Sequence, residues 1–422
     1  MSAKELPARP NLEQYKKQAK DLVKARKSGE SEAIQRIKDY HSRFAKLSDL
    51  EFPRRVKFAL ADAQLIIARE HGFDSWPKFA KHIEALASAR AAGEVTDPVA
   101  AFTEAACSPR DSGHASGTLD RAEAILSAHP EVATANIHTA AILGDDASVR
   151  RLLALDPSNA TAKGGPHDWD ALTHLCFSRY LRLDRARSAA FVRCATALLD
   201  AGANPNTGWM EANHQPRPEW ESAIYGAAGV AHHPDLTRLL LERGADPNDE
   251  ETPYHAPEWY DNDALKVLVE SGKLNDESLG TMLLRKTDSH DLEGIKWLLE
   301  HGVDPNRTTL WGKRAIHNAV LSDNSAAIFE ALLDHGADPT LTTNRPDHSH
   351  PAISGPDKSA IAMAARRGRG DVLELLDRRG LLFLVVKNNS SVKNNFSVSR
   401  LQGVDRLIAA CSRQLGRPHG KG

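Results

Sequence analysis

The sequence predicts an all-α solenoid of helix–turn–helix units, preceded by a small helical domain. Two observations predict it. One nine-residue phrase recurs four times, each copy closing an amphipathic helix, and the first ninety residues differ in charge from the rest. The 422-residue chain is long enough for an extended repeat array. Its net charge of −2 conceals 19 Lys+Arg against 12 Asp+Glu in residues 1–90, and 35 against 44 in the remainder. A basic head on an acidic body predicts two parts with different roles.

The head, placed at 1–95, shows helical spacing in Leu12, Tyr15, Ala19, Leu22 and Val23, and again in Leu60, Ala63, Ile66 and Ile67. Gly72 is expected to end the second of these helices. Ser75-Trp76-Pro77 is expected to start another, with Ser75 as cap and an early proline, and Phe79, Ile83 and Leu86 continue its apolar stripe. Three or four helices are therefore expected, docked on or capping the first repeat. Lys16, Lys17, Lys20, Lys24, Arg26 and Lys27 form a basic run, but Glu13, Asp21 and Glu30 interrupt it. A solvated helix face explains that pattern, so nucleic acid is not the expected partner.

The recurring phrase reads LLDAGANPN at 198–206, LLERGADPN at 240–248, LLEHGVDPN at 298–306 and LLDHGADPT at 332–340. Each part has a mechanical reading. The leucine pair ends a helix and faces a neighbouring unit. The glycines Gly202, Gly244, Gly302 and Gly336 supply a left-handed residue where the helix stops. Asp/Asn-Pro-Asn then makes a tight turn.

With these residues the chain resembles the ankyrin family, whose unit runs Thr-Pro-Leu-His-x-Ala-Ala, Gly, Val-x-x-Leu-Leu, Gly-Ala-Asp. Ser359-Ala360-Ile361, Ala364-Ala365, Gly368, Val372, Leu375-Leu376 and Gly380 follow that order. Ile137-His138-Thr139-Ala140-Ala141 with Gly144, Val149 and Leu152-Leu153, and Ala315-Ile316-His317, are further versions. The resemblance implies about seven or eight units over 100–381, the less regular ones at 169–207, 222–249, 258–275 and 277–306. A further, weaker unit is expected at 103–135. The resemblance also implies that His138 and His317 tie backbone across the turn. The head, through ALADAQLIIAREHGFDSWPKF, resembles the helical segment before bacterial ankyrin arrays, and carries no activity with it. The array departs from the family in lacking Thr-Pro at most units. Its units also stretch beyond the family's roughly 33 residues, with the excess at 163–170, 207–221, 249–262 and 341–358. The whole resembles a bacterial ankyrin protein with lengthened loops.

Beyond the array, VKNNSSVKNNFSVS at 386–399 reads as a polar linker. Residues 400–422, with an apolar stripe of Leu401, Val404, Leu407, Ile408 and Cys411, read as a terminal helix or a truncated repeat. The longest apolar run, Leu381–Val386, is far short of the roughly 20 residues needed to span a bilayer. Four scattered cysteines without a Cys-x-x-Cys pair fit reduced thiols, so a cytoplasmic monomer is expected.

No catalytic motif stands out. Gly113-His114-Ala115-Ser116-Gly117 is too short and wrongly ordered for a nucleophile elbow. The loop histidines His167, His214, His232, His233, His255, His348 and His350 lack a zinc-ligand spacing, so no metal, cofactor or catalytic residue is assigned. The aromatics carry more. Trp169, Trp209, Trp220, Tyr254, Trp259, Tyr260 and Trp311 lie in or beside the long loops, and such rings often dominate binding energy. They serve either as contacts or as packing for the loops themselves, while Trp76 and Trp297 are expected in the core. The expected function is a non-catalytic scaffold or adaptor that binds an unidentified protein through its concave face and aromatic loops. The alternative is a metal-dependent hydrolase or transferase using His214, Glu219, His232, His233 and Glu251.

Overall fold

The computed structural model describes residues 3–45, 57–110, 113–215, 217–343 and 358–382. The 386–399 and 400–422 segments, His348, His350 and Cys411 lie outside them. The chain divides into two compact units. One holds residues up to Ala105 together with Leu119–Ala133; the other holds Ala106–Thr118 and everything from Thr134 onward.

In the first unit, helices Leu12–Ser28, Ser31–Tyr40, Leu60–Glu70 and Trp76–Gly93 enclose one apolar core. Asn11 and Ser75 cap two of them by accepting backbone N–H groups. Gly72 adopts φ 83° and ends the third, where Phe73 N–H donates back to Ala68 O at 2.9 Å. Tyr15, Ala19, Leu22, Ala63, Ile66, Ile67, Phe79 and Ile83 are buried, and Trp76 packs partly buried beside them. Leu60 and Leu86, the outermost members of their stripes, remain exposed. Glu70 is buried and answered by Arg36 through both carboxylate oxygens and by Lys4 at 3.2 Å. The basic run of the first helix pairs along its own surface, Lys16 with Glu13 at 2.7 Å. Helix Asp120–Ala128 packs on Trp76–Gly93.

The second unit is the repeat array. Seven helix pairs are seen among the described residues: 137–155, 171–200, 223–242, 251–270, 276–300, 315–334 and 360–378. The first helices form a continuous stack from Ile137–Leu143 to Ala360–Arg366, each packed on the next. The recurring phrase builds the same joint each time. Gly202, Gly244, Gly302 and Gly336 all have positive φ. The residue after each donates its N–H back to the first leucine of the phrase, as Ala203 does to Leu198 O at 3.0 Å. The acidic or amide residue then bonds the N–H two places on, as Asp304 Oδ1 does for Asn306 at 2.8 Å.

In the three copies that end in asparagine, that residue reaches into the following unit. Asn206 donates to Gly244 O and accepts from Asp246 N–H; Asn306 does the same with Gly336 and Asp338. Asn248 donates to Lys273 O at 3.0 Å and accepts from Asn275 N–H at 2.9 Å. His138 and His317 also play the expected tying role, with Nε2 2.9 Å from Ala162 O and from Leu341 O respectively.

Two of the lengthened loops contain regular structure. The 207–221 stretch folds into a two-stranded antiparallel ribbon, β1 (Gly208–Glu211) and β2 (Glu219–Ser222), with Trp209 opposite Glu221 and Met210 opposite Trp220. The 249–262 stretch opens with helix Glu251–His255, the first helix of a full unit. Asp249 caps it, accepting Thr252 N–H at 2.7 Å and Thr252 Oγ1 at 2.9 Å. The 58-residue gap between Gly244 and Gly302 therefore spans two units, the inner one ending at Gly272 with φ 67°.

Candidate functional site

The ribbon has two chemically different faces because strand side chains alternate. Its outer face carries Met210 and Trp220, exposed by 54% and 39%. Its inner face carries Trp209, Glu211 and Glu221, all buried. Gly208 makes the close approach: a Cβ there would stand 2.3 Å from Glu221 O.

Trp209 stacks on Trp169 with centroids 5.2 Å apart and planes 27° from parallel, and Phe177 meets both rings. With exposures of 4% and 6%, Trp169 and Trp209 are core. Their expected contact role is corrected to packing, because the ribbon turns this edge of the loop inward. The other expected contact residues lie nearer the surface. Trp259 is 51% exposed although its ring meets that of His232. Tyr260 is 71% exposed and donates its hydroxyl to Ser289 O at 2.7 Å. Tyr254 is half-buried between the Arg285 guanidinium, 3.9 Å above its ring, and Trp311, also half-buried, at 5.3 Å. Trp297, expected in the core, is half-buried and stacks on His301 at 3.8 Å.

Beneath the inner face lies a polar cluster that the sequence reading did not assemble. The Gly113–Gly117 loop delivers His114, which is buried. Its Nε2 lies 3.3 Å from Glu211 Oε2, and its Nδ1 lies 2.8 Å from the Tyr225 hydroxyl and 3.7 Å from Glu221 Oε2. Tyr225 sits where a short helical turn passes into the π-helical segment Gly226–Val230. Next to it, His255 is held between Glu251 at 3.1 Å and Glu258 at 3.0 Å, and Glu258 also accepts from Arg285 at 2.6 Å.

Burial, with the nearby charges of Glu251 and Glu211, pushes the Glu221 carboxyl up to about 9. Burial lowers the His114 imidazole and raises the Tyr225 phenol well above its ordinary value. Burial also acts to lower His255, but its bonds to Glu251 and Glu258 reverse that and hold it at about 9. His114, Glu211 and Glu221 each present a ligand atom within 4.8 Å of the others, a set able to hold a cation.

The His/Glu convergence expected among His214, Glu219, His232, His233 and Glu251 does not form as such. His214 lies against Arg217 O, and Glu219 pairs with Arg217. His232 is buried against Trp259. His233 caps its helix through Nδ1 and meets Ser188 Oγ at 2.6 Å. Of the five, Glu251 and His214 lie near enough for their charges to act on the cluster, and Glu251 also pairs with His255. The signal that was missed is Thr252-Pro253-Tyr254-His255-Ala256, a Thr-Pro-x-His start of a unit lying inside what read as a loop. His114 gave no such signal, since its partners lie about a hundred residues away.

Stacked helix pairs, left-handed glycine stops and asparagine joints define a repeat protein of helix–turn–helix units. Comparison with known proteins places it: the chain belongs to the ankyrin-repeat family. The family model "Ankyrin repeats (many copies)" matches residues 298–349. Cyclin-dependent kinase 4 inhibitor B of Homo sapiens is 36% identical over 114 residues, covering 26% of this chain and 68% of that protein. The Bos taurus protein of that name is 40% identical over 93 residues, covering 21% of this chain and 59% of that one. The chain thus spans about three fifths to two thirds of these relatives' length. Among solved structures, the human ASB11 ankyrin repeat domain aligns with a TM-score of 0.42 at 21% identity, over 58% of this chain and 96% of that one. No helix of the described residues is long and apolar enough to cross a membrane.

Proposed function

We propose that this chain is a non-catalytic binding protein, a scaffold or adaptor that holds a protein partner through side chains displayed by its long loops. The observation that carries the reading is the exposure of large apolar side chains on a rigid repeat frame: Met210 and Trp220 on the ribbon's outer face, Trp259 and Tyr260 after the fourth helix pair's first turn. Rings of this kind anchor interfaces because they bury much area at little entropic cost. The related proteins are named as inhibitors of cyclin-dependent kinase 4. What is carried over is the mode, occupation of another protein's surface, not that target. Tyr254 and Trp311 are proposed as supports of this surface, and the protein as a cytoplasmic monomer, a setting that suits the buried cysteines Cys107, Cys176 and Cys194, none of them in a disulfide.

The test is affinity capture followed by mass spectrometry, comparing the intact chain with a Trp220→Ala, Trp259→Ala, Tyr260→Ala variant. A partner held by the first and lost by the second, with the helical circular dichroism unchanged, supports the reading. Equal capture by both would remove the assigned surface. Trp209 is left intact because its substitution would open the core.

A further inference from the structure

A glutamate on the buried face of a small ribbon needs an answer to its charge, since an uncompensated buried carboxylate is among the costliest groups a fold can carry. Glu221 is fully buried at 0% exposure. Neither of its oxygens accepts from an N–H or hydroxyl group, the Glu211 carboxyl stands within reach to share a proton with it, and the ion-pair distance it makes is the 3.7 Å to His114 Nδ1. Among the described residues no lysine or arginine pairs with it. The neighbouring cation, His255, is engaged by Glu251 and Glu258. The Tyr225 hydroxyl occupies His114 Nδ1, while Nε2, also without a hydrogen bond, faces Glu211 Oε2.

We propose that His114, Glu211 and Glu221 bind one divalent transition-metal cation, Zn2+ or an ion of similar preference, which fastens the β1–β2 ribbon to the Gly113–Gly117 loop. An ion with ligand bonds near 2.0–2.1 Å holds its ligand atoms about 3.4 Å apart in a tetrahedral shell. The His114–Glu211 pair already stands at 3.3 Å, and all three ligand atoms lie within 4.8 Å. One neutral imidazole and two carboxylates make a mixed nitrogen–oxygen set, which suits zinc, iron or manganese better than calcium. The charges balance: two carboxylates and a dication leave a neutral buried complex. Tyr225 stands as the outer partner that orients the ring, as ligating imidazoles require. The ligands are about a hundred residues apart in sequence, so closing them with one ion adds to the stability of the fold.

The groups facing the site from adjoining elements are His214, Tyr225, Glu251, His255 and Glu258. Their presence makes a shared proton between Glu211 and Glu221 the competing answer to the same charge. The full-length chain is stripped with chelator and titrated with Zn2+, Mn2+ and Co2+ by calorimetry, with thermal unfolding followed in parallel. One ion per chain and a raised Tm are expected, together with a Co2+ visible spectrum of low-symmetry coordination. His114→Ala and Glu221→Gln are expected to weaken binding about a hundredfold or more, and Tyr225→Phe about tenfold. Glu219→Gln, outside the cluster, leaves binding unchanged. Metal-free Glu221→Gln melts no lower than metal-free wild type, because it removes a buried charge; this shows that its lost binding is not lost folding. Absence of any heat or Tm shift with all three ions overturns the proposal in favour of the shared proton. Binding that survives both His114→Ala and Glu221→Gln overturns it in favour of a surface site.

Discussion

His317 shows how much one buried ring contributes. It is fully buried, donates or accepts through both nitrogens, and burial lowers its pKa to about 4 from an ordinary 6.5. A histidine held neutral contributes stability that is present above pH 6.5 and lost as pH falls toward 4, because the unfolded chain takes up the proton first. The expected loss at the low end is about 3 kcal/mol. His317→Gln should therefore be destabilised against wild type at pH 7.5, and the gap should shrink steadily between pH 6.5 and 4 in urea titrations. A gap independent of pH would mean that the fold leaves the ring's pKa at its unfolded value. The tying role of this residue was legible because Ala315-Ile316-His317 resembles the start of the ankyrin unit, where the histidine has that role. His114 was not legible, because the same kind of side chain is here given its meaning by Glu211 and Glu221 on a distant ribbon.

Among the elements, the ribbon is where sequence reading and structure diverge most. Tryptophan, methionine and glutamate in 207–221 alternate with period two, yet four-residue strands leave too short a pattern to separate a ribbon from an irregular loop. Once the register is known, one face packs and the other is displayed, so Trp209 and Trp220 have opposite roles although they read alike. The register depends on Gly208, where any side chain would press on the Glu221 backbone. Gly208→Val should separate the strands, cost about 2 kcal/mol, and alter the near-ultraviolet circular dichroism that arises from the stacked Trp169 and Trp209. An unchanged near-ultraviolet spectrum would show that the ribbon tolerates the insertion. The helix Glu251–His255 was obscured differently: its Thr-Pro-x-His start is intact, but acidic and aromatic neighbours gave it the composition of a loop.

Over the whole array, stability passes from unit to unit through neighbouring contacts, as repeat architectures require. The helix stops and turns were readable because each is fixed by a glycine, a proline and a closing asparagine or threonine within nine residues. The joints between units were not, since nothing in the phrase announces that its last side chain crosses to the next unit. Asn248 sits mid-array and bonds Lys273 O, Asn275 N–H and Ser278 Oγ. Asn248→Ala should cost about 1–2 kcal/mol and loosen the units that follow. Amide hydrogen exchange would show this as faster exchange C-terminal to residue 248 than before it. Uniform acceleration on both sides would mean that the array opens only as a whole.

The direction of these joints has a consequence for how such a chain can change over generations. Each asparagine supplies the specific side chain, while most of what it grasps in the next unit is main chain, which every amino acid possesses. The receiving unit is therefore free to vary: Glu270-Ser271-Gly272-Lys273-Leu274-Asn275 differs from the phrase and is still held by Asn248. A duplicated unit inserted behind an asparagine arrives with a working coupling already in place, and inheritance of the joint asks conservation of the donor alone.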